Sequence, residues 1–528
     1  MKQTKNSTNG MAFIIGASSV GTLIEWYDFY IFGMLATIIS KQFFPEDSGT
    51  SALLSTLAIF AAGFIVRPFG ALVFGRLGDL IGRKYTFLLT LILMGGSTFA
   101  IGLVPGFKSI GWAAPLIVLA LRLVQGLALG GEYGGAATYV AEHAPPHRRG
   151  YWTSWIQTTA TLGLFLALGV IILIRDTQGV EKFSGEWGGW RYPFWLSLLL
   201  VFVSILIRMK MSESPMFAKV KAEGKTAVNP LKESFGHRAN FKMVLLALFG
   251  GVMGQGVIWY TGQFYAQSFL ENTVKLEFMQ NREILLWSIA LATPFFVLFG
   301  WLSDRIGRKW IMLTGMLLGV IFYRPIFKSL LKSADVKEWV KDINLSKGDQ
   351  TVTQVKVTKR DTILNNATSL NVEVLHLKTS HSLINGNKWT ALTSDTITRS
   401  EAGLIPDSKP VYSDKILSPI LKWKFIFLIW VMVIFVTMVY GPMAAFLVEL
   451  FPTKIRYTSM SLPYHIGNGV FGGLVPFLGT LIVEFTKTKD FPLGDPLAGL
   501  WYPIGIAALC FLIGAIYLPN KIDNNVMD

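Results

Sequence analysis

One cysteine, six histidines and 33 acidic residues among 528 leave little room for several kinds of chemistry. With Cys510 alone no intramolecular disulfide can form, and no Cys/His spacing suits a metal. The histidines are scattered and no Gly-x-Ser-x-Gly elbow occurs, so the chain reads as a non-enzyme without a cofactor. Gly224-Lys225-Thr226 ends like a phosphate-binding loop, but the position of the first glycine is Lys219, which excludes an ATP-driven pump. Charge is scarce too: 15% of residues are charged against 52% hydrophobic, and the mean hydropathy is +0.47. These values point to a membrane protein rather than a soluble multidomain chain. The net charge of +15 would suit nucleic acid if the basic residues clustered. They sit instead in short loops between apolar runs, the pattern of loops facing anionic lipid, so nucleic acid is excluded and the bilayer is the expected partner.

Twelve apolar runs are present, near residues 12–40, 52–75, 85–105, 113–141, 151–174, 192–211, 241–270, 284–302, 310–331, 423–449, 459–484 and 498–518. Each is long enough to cross a bilayer, which takes about 20 residues. Lys2 and Lys5 precede a run too long for a signal-peptide core, so it reads as a retained first span. Loops after even-numbered runs carry Arg83/Lys84, Arg148/Arg149, Arg305/Arg308/Lys309 and Lys454/Arg456, and the central linker adds more. Lys and Arg favour the cytoplasmic side, so both termini are expected there.

The chain contains one loop twice. Gly75-Arg-Leu-Gly-Asp-Leu-Ile-Gly-Arg-Lys84 returns as Gly300-Trp-Leu-Ser-Asp-Arg-Ile-Gly-Arg-Lys309, with Asp79 and Asp304 separated by 225 residues. Gly75, Gly78 and Gly82, with Gly307 in the second copy, are expected to permit a tight reversal. A second pair, Glu142-x-x-Pro145-x-x-x-Arg149 and Glu449-x-x-Pro452-x-x-x-Arg456, is offset by 307. The larger offset requires an insertion of about 82 residues between Asp304 and Glu449. The expected architecture is therefore all-α, twelve transmembrane helices in two six-helix halves, 1–211 and 241–331 with 422–528. A cytoplasmic linker (212–240) joins the halves, and the insert (332–421) follows the ninth span on the outer side. Alternation at Thr351–Val357 and Leu370–Leu375 suggests short strands within the insert.

Charges inside spans are costly and mark function by default. They are Glu25 and Asp28, three residues apart on one helix face, then Arg67, Arg122, Glu132 and, in the second half, His465. Arg67-Pro68 reads as a structural arginine bonding carbonyls at a kink or as a functional charge. His465 reads first as a hydrogen-bonded interior residue. From span midpoints, Asp28 and Arg122 fall at similar depth and are expected to pair, while Glu132 has no basic residue at its depth. Gln125, Tyr133, Gln157, Tyr260, Gln263, Tyr464 and Asn468 are candidate cavity lining. Gly126, Gly130 and Gly134 recur every four residues, as do Gly131 and Gly135, giving faces on which helices approach closely.

The doubled loop resembles the signature of the major facilitator superfamily. Gly21-x-x-x-Glu25-Trp-Tyr-Asp-Phe29, Arg122-x-x-Gln-Gly126-x-x-x-Gly-Gly-Glu132-Tyr-Gly-Gly135, Gly189-Trp-Arg-Tyr-Pro-Phe194, Glu213-Ser-Pro215 and Glu449-Leu-Phe-Pro-Thr453 with Arg456-Tyr457 are similar to its metabolite:proton symporters. The insert departs from that pattern. The resemblance implies inward, proton-coupled transport of a small solute such as proline, betaine, shikimate, 2-oxoglutarate or citrate by a monomer in the bacterial inner membrane. It also implies gating loops built from Gly75, Asp79, Gly82, Arg83, Lys84, Glu142, Arg149, Asp304, Gly307, Arg308, Glu449 and Arg456, with Arg83 reaching Glu142. Proton antiport, or a sensor that uses the outer insert, are the alternatives.

Overall fold

The computed structural model describes residues 4–45, 48–81, 83–131, 140–141, 144–209, 236–341, 350–365, 370–383, 385–397, 411–451, 456–488 and 494–519. Span 1 is a bent pair, Ser19–Met34 and Ala36–Phe43, and span 2 is Gly49–Phe74. The shorter apolar helix Leu88–Ile101 is span 3. Spans 4 to 8 are Ala113–Gly130, Pro146–Gln178, Gly189–Leu206, Arg238–Asn272 and Phe278–Ile306. Spans 9 to 12 are Arg308–Ser333, Pro419–Leu450, Thr458–Phe485 and Ala498–Tyr517. Among the described residues ten helices are long and apolar enough to cross a membrane, eleven with the bent pair of span 1, and the shorter apolar helix Leu88–Ile101 stands in the place of the twelfth; the architecture is that of an all-α membrane protein with a small β insert.

Breaks in these helices have local causes. Span 1 turns by 61° at Leu35. Just before it, a Cβ on Gly33 would lie 2.7 Å from the Phe264 ring. Span 2 breaks at Val66, where Pro68 supplies no N–H. The Phe69 and Gly70 amides both turn to the Val66 carbonyl, at 3.1 Å each. Spans 2 and 4 meet backbone to backbone. A Cβ on Gly126 would overlap the Gly63 carbonyl, and one on Gly130 the Arg67 carbonyl. Spans 7 and 11 are wound partly as π-helix, over Leu248–Val252, Thr261–Tyr265 and His465–Gly472. Such wide turns leave backbone groups free to re-aim side chains and gather at functional positions. The two spans touch at glycines: a Cβ on Gly256 would lie 2.8 Å from Asn468 Cα. Span 12 ends on a cation, since Lys309 Nζ donates to the Ala515 and Leu518 carbonyls at 2.9 and 2.7 Å.

Glycine carries less of the repeated loop than its sequence suggests. Gly75 and Gly78 lie inside the helix Arg67–Ile81, and Gly300 lies inside Phe278–Ile306. In the second copy only Gly307 takes positive φ, +96°, because a one-residue joint between helices needs a single left-handed position. Gly300 serves close packing instead, since a Cβ there would meet the Ser154 side chain and the Gly150 carbonyl.

The chain forms two compact units: residues 1–265, 288–323 and 430–528 in one, and 266–287 with 324–429 in the other. The second holds an antiparallel sheet in the order β1 (Gln350–Asn365), β2 (Leu370–Leu383), β3 (Lys388–Ile397) and β4 (Val411–Ile416). The alternation at 351–357 and 370–375 falls on β1 and β2, both longer than the apolar pattern suggests. Bulges at Val352/Gln354 and Val357/Lys359 interrupt the β1–β2 register. The β2–β3 turn uses Gly386 at φ +93°. His381 stacks on Trp389 at 5.0 Å. The last strand is tied to the connection between spans 7 and 8: Lys415 N–H donates to the Lys275 carbonyl at 2.9 Å and Glu277 N–H to the Lys415 carbonyl at 2.8 Å. Gln280 bonds Leu417 through both amide atoms, at 2.9 and 2.7 Å. The Lys415 amine donates to the Ala334 carbonyl at 2.8 Å. Burial pushes that amine down to about 8, a shift that Asp335 opposes and Lys275 reinforces.

Candidate functional site

Arg67 and Arg122 are among the largest fully buried side chains in the molecule. They share one ring, because the Arg67 Cζ lies 4.3 Å and the Arg122 Cζ 4.1 Å from the Phe29 centroid. Arg67 also faces Phe64 at 4.1 Å and Trp26 at 5.3 Å, and Arg122 faces Phe32 at 4.7 Å and Phe60 at 5.2 Å. Ring faces partly replace water around a buried cation, contributing about 0.5–2 kcal/mol each.

The two guanidinium groups differ in what else they bind. Arg122 Nη1 donates to Gln125 Oε1 and, at 3.4 Å, to the Phe29 carbonyl. Its Nη2 donates to the Phe60 carbonyl at 3.4 Å. Gln125 passes the chain on, donating to the Asp28 backbone carbonyl at 3.0 Å and to Thr98 Oγ1 at 2.6 Å. This network binds spans 1, 2, 3 and 4 together. Arg67 has no such set: its Nε and Nη2 are buried without a hydrogen-bond partner.

The Asp28–Arg122 ion pair expected from depth is not formed. Both Asp28 carboxylate oxygens are buried without a partner. The Ser197 hydroxyl of span 6 lies beside them, outside hydrogen-bond geometry. Depth along the helix axes matched, but direction did not. Phe29, next along span 1, takes the Arg122 face, and the roughly 100° step between neighbouring helical residues turns Asp28 elsewhere. Glu25 is buried on the same helix, 1% exposed.

From the second half, spans 7, 10 and 11 bring polar groups to Arg67. The Tyr260 ring packs edge-on against Phe64 at 5.0 Å. Tyr260, Tyr30, Tyr464 and Tyr440 all lie within electrostatic range of the Arg67 guanidinium, and His465 does too. A Cβ on Gly469 would lie 3.6 Å from Arg67 Cδ, so the arginine stem rests against span 11. The Tyr440 and Tyr464 hydroxyls bond at 2.9 Å, and Asn468 Nδ2 donates to Tyr464 at 3.0 Å. The Tyr260 hydroxyl, both amide atoms of Gln263 and of Gln255, both His465 nitrogens and Asn468 Oδ1 are buried without partners. His465 is an interior residue with the Gly130 backbone beside it, outside hydrogen-bond geometry. Beside this polar group, Tyr30 stacks on Trp26 at 5.0 Å and on Trp259 at 5.2 Å, with Phe264 5.1 Å away. Gln157 is fully buried in span 5. Glu132 and Tyr133 lie outside the described residues.

The duplicated loop is described in its second copy. Asp304 accepts the Gly150 and Tyr151 amides, both at 2.8 Å, at the N-terminal end of the helix Arg149–Gln178. An anion there is favoured by the free N–H groups and the helix dipole. Arg308 bridges Asp304 at 2.6 Å and Glu449 at 2.9 Å. Four segments (the end of span 8, the start of span 9, the end of span 10 and the start of span 5) are thereby held together. In the first copy, Gly82 and the side chains of Asp79, Arg83 and Lys84 lie outside the described residues, as do Glu142 and the side chain of Arg456.

Sequence reasoning left Gln255, Trp259, Phe264 and Tyr440 out of the site, and Arg67 undecided. Only Arg67, a charge beside a proline within an apolar run, carried a visible signal. The others carry no charge, and only Phe264 lies in a π-helical turn; Gln255 and Trp259 lie in an α-helical part of span 7 and Tyr440 in span 10. Among the described residues no group of three His, Cys, Asp or Glu side chains is placed to hold a metal.

The family described as sugar (and other) transporter matches residues 13–342, well over half of the chain. The chain belongs to this transporter family of the major facilitator superfamily. The inner membrane metabolite transport protein YhjE of Escherichia coli (strain K12) is 35% identical over 339 residues, covering 63% of this chain and 76% of that protein. The alpha-ketoglutarate permease of the same strain is 35% identical over 329 residues, covering 62% and 74%. A putative metabolite transport protein of Haemophilus influenzae is 30% identical over 475 residues, covering 90% and 88%. Among solved structures, the partially occluded inward open xylose transporter XylE from E. coli superposes with TM-score 0.60 at 15% identity, covering 97% of this chain and 98% of that one. A double Trp variant of XylE reaches 0.65, also at 15% identity, covering 98% of both. At such identity these structures speak for the fold alone. The chain is a membrane transporter of many spans and not an enzyme.

Proposed function

We propose that this transporter imports a small polar metabolite (an organic acid, zwitterion or betaine) by proton symport, as a monomer in the bacterial inner membrane. The halves 1–211 and 241–331 with 422–528 rock about the Arg67 site. The linker 212–240 and both termini lie in the cytoplasm, and the insert 332–421 lies outside. The observation that carries the reading is Asp28: a carboxyl wholly inside the membrane domain, with neither oxygen partnered, is a group that can carry a proton through the cycle. Relatives named for alpha-ketoglutarate, shikimate and proline/betaine support the substrate range. Glu132 remains the candidate second proton site.

The test is transport in proteoliposomes under an imposed pH gradient, acid outside. Wild-type protein accumulates solute; Asp28→Asn loses accumulation yet keeps counterflow between equal pools, since exchange needs no net proton movement. Uphill uptake by Asp28→Asn equal to wild type would remove Asp28 from the coupling, and solute efflux on the same gradient would make the protein an antiporter.

A further inference from the structure

We propose that Arg67 is the carboxylate receptor of the central site, and that the site takes substrates bearing a single carboxylate, preferring them to dicarboxylates and uncharged solutes. This deepens the symporter reading and rests on it.

The argument begins with which edge of Arg67 is unengaged. Nε and Nη2 lie on the same side of a guanidinium and point their N–H bonds in parallel, the fork that meets the two oxygens of a carboxylate. Both are buried in Arg67 and neither has a partner. Among the described residues no carboxylate lies within ion-pair distance of it. A buried cation left so is expensive, and the rings of Phe29 and Phe64 answer only part of that cost. Near the guanidinium lie the Tyr260 hydroxyl and the His465 ring, both buried and neither within hydrogen-bond geometry of a partner. Together they form a donor set that belongs to both halves of the molecule, and a carboxylate bound there would touch both.

The limit of one carboxylate comes from Arg122. It is as deeply buried, but the corresponding edge is half spent, because its Nη2 donates to the Phe60 carbonyl and its Nη1 to Gln125 and Phe29. Freeing that edge would mean giving up the Nη2 bond to the Phe60 carbonyl, the network's link to span 2. Among the described residues of this site a second carboxylate therefore finds no second fork. The rest of the substrate meets rings instead, Tyr30 and Trp259 stacked 5.2 Å apart, which suit an apolar or methylated cationic body.

Equilibrium dialysis of the purified full-length protein in detergent tests this without any gradient. The probes are radiolabelled glycine betaine, lactate, lactamide, succinate and xylose at millimolar concentration. Glycine betaine or lactate is expected to bind at least about tenfold more tightly than succinate and xylose, the cost of one unmade hydrogen bond to a charged group. Lactamide, which keeps the shape of lactate and loses the carboxylate, is expected not to bind, and this comparison needs no variant. Arg67→Lys keeps the charge but loses the fork, and is expected to weaken binding by about tenfold or more with an unchanged melting temperature. Unchanged binding by a folded Arg67→Lys, equal binding of succinate or xylose, or no binding of either monocarboxylate would overturn the proposal. Binding as expected without proton-driven accumulation would leave the receptor standing and remove the symporter reading. Proton-driven accumulation of xylose would do the reverse.

Discussion

Gly126 and Gly169 are both helical glycines in membrane spans, and the protein needs them for opposite reasons. A Cβ on Gly126 would overlap the Gly63 carbonyl, whereas one on Gly169 would meet nothing within 4 Å. Gly126→Ala must push spans 2 and 4 apart, an overpacking cost of about 1–3 kcal/mol. Gly169→Ala removes backbone freedom from a helix at no contact cost, a gain of up to about 1 kcal/mol. Melting of the two variants in the same detergent should therefore move in opposite directions, and a matched fall would show that the close approach does not decide stability. Both glycines were visible in the sequence, and the four-residue spacing marked Gly126 as a packing position. The same spacing says nothing about which carbonyl sits opposite, and nothing marked Asp28 as turned from Arg122. Position along a helix axis is legible from residue counts; azimuth depends on which neighbours pack against each face. Arg67 remained ambiguous for a related reason, since kink carbonyls satisfy some proline-adjacent arginines and leave others open, and only the surrounding backbone decides.

Among the elements, the joint between spans 8 and 9 was the most legible, because it is written twice. Its reach was not. Asp304 seals the start of span 5 and, through Arg308, the end of span 10, two contacts that lie far apart in sequence. Asp304→Asn removes the charge that holds Arg308 and weakens both N–H bonds to the helix start. Turnover in reconstituted vesicles is expected to fall by about tenfold while substrate affinity changes little, since the loss of about 1.4 kcal/mol falls on one conformation of the cycle. A variant with unchanged turnover would show that the cap holds no rate-limiting state. The π-helical turns of spans 7 and 11 left no trace in the apolar pattern, because a wide turn shifts the hydrophobic period by one residue in a segment that is apolar nearly all round.

For the molecule as a whole, counting was the strongest argument: two offsets that disagreed by 82 residues located an insert before any strand was considered. Two of its four strands showed in the alternation; β3, ten residues long, and β4, six residues long, did not. The sheet is joined to the helices mainly through Lys415 and Leu417 on one side and the connection at Lys275 to Gln280 on the other. Replacing residues 335–420 by a short Gly/Ser linker is expected to leave a protein that inserts, elutes as a single species and keeps solute uptake; failure to insert would make the sheet a structural part of the helical core.

The wide winding of span 11 has a consequence for comparing the two halves. Spans 5 and 11 open at equivalent arginines, Arg149 and Arg456, yet span 5 runs as unbroken α-helix to Gln178 while span 11 passes through His465–Gly472. A π-turn consumes an extra residue without an extra step along the axis. Counting from the paired arginines, then, equivalence by sequence number and equivalence in space part company after Gly472 by about one residue, or about 100° of rotation. Any superposition of one half on the other must place a gap inside span 11. The gap falls beside His465 and Asn468, so the duplicated chain loses its symmetry next to the buried polar groups gathered near Arg67.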